Sequence, residues 1–138
     1  MNTELVLMDK PHGIHTTSLI VAEIFNKEHK NVLRDIETLE CSDDFNRLNF
    51  ELISYLDSMN REQKAYNITK DGFSLLITGF TGKEAMGLIE KFFDAFNRKY
   101  ELLNDPEYII ELGYKYALEN FKKHAAKHNI NLPCDFEF

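Results

Sequence analysis

Between Glu28 and Leu39, Lys30, Asn31 and Arg34 stand off the apolar positions Val32, Leu33, Ile36 and Leu39 of one amphipathic segment. These side chains suit base recognition, since an arginine can donate a bidentate pair to guanine and an asparagine can match adenine. Arg34 and Asn31 are therefore the candidates for base contacts, with Lys30 beside them and Asp35 placed to orient Arg34. Thr17, Lys27, His29, Arg61 and Lys64 fall where a helix start, an interhelical turn and a hairpin tip would carry them to phosphates. The competing reading is a solvated surface, because Glu23, Glu28, Glu37 and Glu40 repel phosphates unless they face away.

Other patterns lead to chemistry less well. Gly79-Phe-Thr-Gly-Lys83 lacks a glycine where Ile77 stands and a Ser or Thr where Glu84 stands, so it misses the tight turn and the magnesium ligand of a phosphate-binding loop. His124 and His128 share a helix face at i and i+4, but no third metal ligand is near in sequence. His12 and His15 flank the turn at Pro11 and Gly13 with no evident acid partner, which reads as a solvated loop. Cys41 and Cys134 have no CxxC spacing and read as reduced thiols. With no GxSxG and no HExxH, the chain is expected to have no enzymatic activity, cofactor or metal.

The elements that must position the basic set follow from local signals. Glu4 to Met8 is a short apolar run that reads as an edge strand. Thr17 or Ser18 caps a helix with Leu19, Ile20, Ala22, Ile24 and Phe25 as its apolar positions, and Asn26 breaks it before the helix at about 28–39. After a polar stretch from Cys41 to Arg47, Asn49 to Leu56 reads as a strand. A polar loop from Asp57 to Lys64 leads to a returning strand from Ala65 to Thr69. Helix, turn, helix and hairpin give the expected class: α+β, a winged helix-turn-helix-like domain with a β-hairpin wing, followed by C-terminal helices.

Thr69 caps a short helix at about 70–78 that ends at Gly79, and Thr81-Gly-Lys-Glu84 reads as a capping box for a helix reaching Leu103. The stripe of that helix runs through Ala85, Leu88, Ile89, Phe92, Phe96, Tyr100 and Leu103. It is wide enough to raise a homodimer through 81–103 beside simple burial. Asp105-Pro106 then opens a last helix to about His128 through Ile109, Leu112, Tyr116 and Phe121, with an extended tail after it. The expected division is 1–103 and 104–138.

The chain has 138 residues and a formal charge of −7, with 43% apolar residues. That composition suits a folded domain, not a disordered one. Residues 1–60 carry five Lys/Arg against eleven Asp/Glu, so the stretch holding the candidate helix is the most acidic. Non-specific nucleic-acid coating is thereby disfavoured. No apolar run reaches the roughly 18 residues a bilayer span needs, and the start lacks a signal-peptide pattern, which implies no membrane association and a cytoplasmic protein.

The ordered succession of Thr17-Ser18, Ala22-Glu-Ile-Phe-Asn-Lys27 and His29-Lys-Asn-Val-Leu-Arg-Asp-Ile36 resembles the phage regulatory proteins of the Rha type. The resemblance continues through Phe45 to Tyr55, Asn60-Arg61, Tyr66 to Leu76 and Thr78 to Ala85, covering about residues 5–103. It implies a phage or prophage protein of a bacterial host, regulating transcription or replication and binding DNA. The alternative is an acidic protein-binding phage factor that docks on a host protein, motivated by the charge of −7. A truncated form of a longer regulator is a third reading.

Overall fold

The computed structural model describes residues 4–9 and 12–127. In chain order the elements are β1 (Leu7–Asp9), β2 (Gly13–Thr17), α1 (Ser18–Ile24), α2 (His29–Glu37), α3 (Asp43–Asn49), β3 (Phe50–Leu56) and β4 (Glu62–Ile68). There follow α4 (Lys70–Leu76), a 3-10 turn (Ile77–Gly79), α5 (Lys83–Leu103) and α6 (Pro106–Lys127). The class is α+β, with six α-helices and one four-stranded antiparallel sheet among the described residues.

Side-chain caps set several of the helix starts. The Ile20 N–H donates to Thr17 Oγ1 at 3.1 Å, Phe45 N–H to Ser42 Oγ at 3.1 Å, and Gly72 N–H to Thr69 Oγ1 at 3.1 Å. Asp105 Oδ1 accepts from Glu107 N–H at 3.0 Å ahead of Pro106, the expected order of cap and first helical residue. Asn26, at φ 53°, turns the chain between α1 and α2 in the left-handed region that asparagine tolerates. One helix starts differently from its sequence signal. Met86 N–H donates to Gly82 O, so α5 opens from Gly82, whose φ of 104° suits glycine, instead of from a box capped by Thr81.

The sheet order is β1-β2-β4-β3, which leaves β1 and β3 at its edges. Three features correct the sequence reading. Gly13–Thr17 is a strand, β2, pairing Thr16 with Ile68 and Thr17 with Asn67 on β4. The polar stretch before β3 folds into α3, capped by Ser42 with Asp43 and Asp44 in its first turn. The loop between β3 and β4 is shorter than expected, because Glu62 already pairs with Leu56 and Lys64 with Ser54. Lys64 is therefore a strand residue and not a tip residue.

Up to Lys99 the chain forms one compact unit, and from Tyr100 a second. The core of the first lies between sheet and helices and holds Val21, Val32, Ile36, Ile68, Phe73, Phe92 and Phe96, all essentially without exposure. Each such side chain contributes roughly 1.5–3 kcal/mol through burial. Phe25, Phe73 and Phe92 form an aromatic nucleus in which the Phe73 and Phe92 ring centroids are 4.6 Å apart and Phe25 stacks on Phe92 at 5.6 Å. The α5 stripe is thus largely taken up by this core, with Ile89, Phe92 and Phe96 buried, while Met86, Tyr100 and Leu103 remain exposed. No helix among the described residues is long and apolar enough to cross a membrane. Cys134, the extended tail, His128 and the side chains of Tyr116 and His124 lie outside the described residues.

Candidate nucleic-acid interface

Helix α2 is fixed from behind by Val32 and Ile36, which are buried against the α1 side of the core. Helical spacing then puts Lys30 and Arg34 along one outward line, with Asn31 half-buried on its flank and Lys27 in the turn ahead of the helix. Lys30 and Arg34 are exposed. Lys30 Nζ lies 3.1 Å from Glu28 Oε2, and Lys27 Nζ sits 4.6 Å above the Phe80 ring. Arg34 has no carboxylate partner among the described residues.

The other expected phosphate contacts have tasks of their own. Thr17 Oγ1 is engaged as the α1 cap. His29 Nε2 is 2.9 Å from Ser18 Oγ, and that hydroxyl also accepts the Tyr66 N–H at 2.9 Å. Ser18 thereby satisfies a β4 amide just beyond the end of the β2 pairing and ties α2 to it through His29. The His29 ring meets Tyr55 edge-on at 6.0 Å. Lys64 Nζ reaches Glu37 Oε1 at 3.0 Å, and this partner holds its ammonium above the ordinary lysine value. The hairpin is therefore latched to both ends of α2 by His29 and Lys64.

Arg61 occupies the hairpin turn. Asp57 Oδ1 accepts the Arg61 and Met59 N–H groups at 2.9 Å each, and Oδ2 accepts Arg61 Nε at 3.1 Å. These bonds, the Arg61 N–H first, hold the Asp57 carboxyl below the usual carboxylate range. Lys30, Asn31 and Arg34 thus share the outer side of α2, Lys64 touches its end, Lys27 lies over Phe80 ahead of the helix, and Thr17 and His29 are turned to structural contacts.

Burial lowers the His29 pKa below the ordinary histidine value of 6.5, because a half-buried imidazole resists charging. The unfolded chain then takes up a proton before the folded one does. Stability contributed by neutral His29 is complete above the unfolded value and is lost as pH falls through the folded value. The melting temperature is expected to fall between about pH 7.5 and pH 5, and to fall less in His29→Gln. Equal pH slopes for the two proteins in calorimetry would show that His29 is not held neutral.

A second feature escaped the sequence reading. His12 Nδ1 lies 2.7 Å from Glu51 Oε1, which also accepts Asn67 Nδ2 at 2.8 Å, and His15 is only 4% exposed. With Arg47 and Leu48 they line a cleft of about 410 Å³. The signal was hidden because His15 belongs to β2, whose partner β4 is distant in sequence, so His15 is a buried strand residue and His12, in the exposed turn expected of it, has an acid partner in Glu51. Among the described residues no group of three His, Cys, Asp or Glu is placed to hold a metal ion.

The family model of phage regulatory protein Rha matches residues 16–99, which include the whole candidate surface. The chain belongs to the Rha family. Members are phage regulatory proteins by the family's description. The chain is 40% identical over 117 residues to an uncharacterized protein of Haemophilus influenzae, covering 83% of this chain and 66% of that one. It is 35% identical over 85 residues to an uncharacterized 22.8 kDa protein from the gp15-gp3 intergenic region of Salmonella phage P22, covering 59% of this chain and 42% of that one. The chain therefore spans less than two thirds of either relative's length. No solved structure matches.

Proposed function

We propose that this Rha-family chain is a DNA-binding regulator of phage transcription or replication, acting in the cytoplasm of the bacterial host. In this reading α1 and α2 are the helix-turn-helix, the β3–β4 hairpin is the wing, and α3 is an insertion between them. The observation that carries the reading is the outward pair Lys30 and Arg34 with Asn31 beside it, on a helix locked from behind and free of a carboxylate at Arg34 among the described residues. The acidity of this segment is a weaker objection than composition implied, since Glu28 and Glu37 are each bound to a lysine.

The test is binding to pooled phage-genome fragments at low and physiological salt, with Lys30→Ala and Arg34→Ala alongside the unaltered chain. Loss of a Lys30 phosphate contact should shallow the log–log salt slope by about 0.9. Loss of an Arg34 base contact should cost about 1–3 kcal/mol at one base position. No retention of DNA at low salt would end this reading.

A docking role on a host protein is the second reading, favoured by one specific surface. Leu48, Leu52, Leu56 and Met59 are 62–70% exposed on and beside the edge strand β3. An exposed apolar edge strand invites pairing with another chain. Charge reversal at Glu37 or Glu40 followed by pull-down from host lysate addresses the acidic face, and Leu52→Lys addresses the strand.

A further inference from the structure

Three neighbouring strands place His15, Asn67 and Glu51 on one face of the sheet. Asn67 of β4 stands opposite both Thr17 of β2 and Glu51 of β3, and His15 shares the face of Thr17 by the two-residue period of a strand. The core residues Ile14, Phe50 and Ile68 take the other face. His15 and Asn67 are only 4% and 8% exposed, yet both line the cleft of about 410 Å³, a volume within the roughly 300–1,000 Å³ of small-ligand sites. The hydrogen bonds of this cluster leave three acceptor atoms over. His15 Nδ1 lies 3.0 Å from Gly13 O, and a carbonyl only accepts, so Nδ1 carries the proton and Nε2 of the neutral ring is an acceptor. Asn67 Nδ2 donates to Glu51 Oε1 at 2.8 Å, which leaves Asn67 Oδ1. His12 Nδ1 donates to the same Oε1 at 2.7 Å, which leaves Glu51 Oε2. None of the three has a partner among the described residues, where Thr16 Oγ1 is the one fully buried side-chain N or O atom in that condition. His15 Nε2 and Asn67 Oδ1 are therefore not sealed, and they open onto the cleft that both side chains line.

We propose that this cleft binds a guanidinium group. The cation meets the Glu51 carboxylate, which two hydrogen bonds on Oε1 hold in place, and its N–H groups meet Glu51 Oε2, Asn67 Oδ1 and His15 Nε2. Geometry favours guanidinium over ammonium. The acceptors come from three strands spaced about 4.8 Å apart, which suits a planar cation with N–H groups on three nitrogens better than one whose donors all leave a single nitrogen. Leu48 and Leu52, exposed and also lining the cleft, lie along the apolar stem that carries the group. Arg47 lines the cleft as well, but its charge is drawn to Asp44 Oδ1 at 3.4 Å, so it does not cancel Glu51. The acceptors belong to β2, β3 and β4 and not to α2, and the inference does not rest on DNA binding.

Nuclear magnetic resonance of the full chain, titrated with N-acetyl-arginine methylamide, tests it. The side-chain signals of His15 and Asn67 are expected to shift and to saturate at about millimolar concentration. The neutral isostere N-acetyl-citrulline methylamide and the corresponding lysine compound should each bind about tenfold more weakly or less well still. Glu51→Gln, at an exposed position, keeps an acceptor and removes the charge, and should weaken binding of the arginine compound about tenfold. Glu40→Gln removes the same charge outside the cleft and should leave binding unchanged. Agmatine separates the sources of the group: tighter binding than the capped arginine assigns it to a free guanidine, weaker binding to an arginine of a polypeptide, and both uphold the site. Unmoved His15 and Asn67 signals overturn the proposal. So do equal binding of either control compound, equal weakening by Glu51→Gln and Glu40→Gln, or tighter binding of inorganic phosphate at the same residues.

Discussion

Phe92→Ala is expected to lower the melting temperature of the chain by more than about 10 °C. Phe92 has no exposed surface and lies between Phe25 of the α1 end and Phe73 of α4, at 5.6 and 4.6 Å between ring centroids. Truncating a buried phenylalanine costs about 3–5 kcal/mol, because the apolar transfer is lost and the surroundings do not close fully over the cavity. Against a total stability of roughly 5–15 kcal/mol this is a large fraction. The damage would reach the candidate interface, because Phe25 ends α1 just before the turn that aims α2. Circular dichroism melts of Phe92→Ala and Phe92→Leu provide the check, the leucine variant losing less. A shift of only one or two degrees in Phe92→Ala would mean that α5 does not close this core.

The parts of the molecule that were legible in the sequence are those fixed by neighbours along the chain. Thr17, Thr69 and Asp105 each accept from an amide two or three residues onward, so the starts of α1, α4 and α6 could be read directly. The outward line on α2 was legible for the same reason, since helical spacing alone places Lys30 and Arg34 together. β2 was not legible, because Gly-Ile-His-Thr-Thr is short and becomes a strand only through pairing with the distant Asn67 and Ile68. Without β2, the burial of His15 and the partnership of His12 with Glu51 had no basis.

The helix α3 was missed for a different reason. Asp-Asp-Phe-Asn-Arg-Leu-Asn has no apolar stripe, its Leu48 is exposed, and it has no buried residue. Its one local sign was Ser42 followed by two aspartates, a cap and a favourable first turn. Residue type also says nothing about which cations already have partners. Lys64 read as a free hairpin-tip charge, whereas the strand begins at Glu62 and delivers its ammonium to Glu37.

The root of the hairpin depends on a single absent side chain. Gly72, buried in α4, sits so close to the chain entering β3 that an added Cβ would stand 2.7 Å from Asn49 O and 3.2 Å from Ile68 Cγ2. The first is a backbone atom that cannot turn aside, and it already accepts the Thr69 N–H at 3.1 Å, while Thr69 Oγ1 donates to Asn49 Oδ1 at 2.6 Å. Gly72→Ala is therefore expected to destabilise by about 1–3 kcal/mol through overpacking, despite the gain of up to about 1 kcal/mol that alanine brings to a helix interior. Gly87→Ala isolates that gain, because Gly87 lies in α5 with nothing within 4 Å of its Cβ position, and it should raise the melting temperature. Opposite signs for the two substitutions in thermal melts would establish that contact, not helix propensity, decides at Gly72. If Gly72→Ala were as stabilising as Gly87→Ala, α4 could not be seated on Asn49. Because β3 and β4 both leave from this junction, and the far end of β4 carries Lys64 to Glu37 on α2, relief of the clash should also shift the hairpin against α2. On the DNA-binding proposal, Gly72→Ala should then weaken DNA binding at temperatures where the chain is still folded, although residue 72 lies on none of the outward α2 surface.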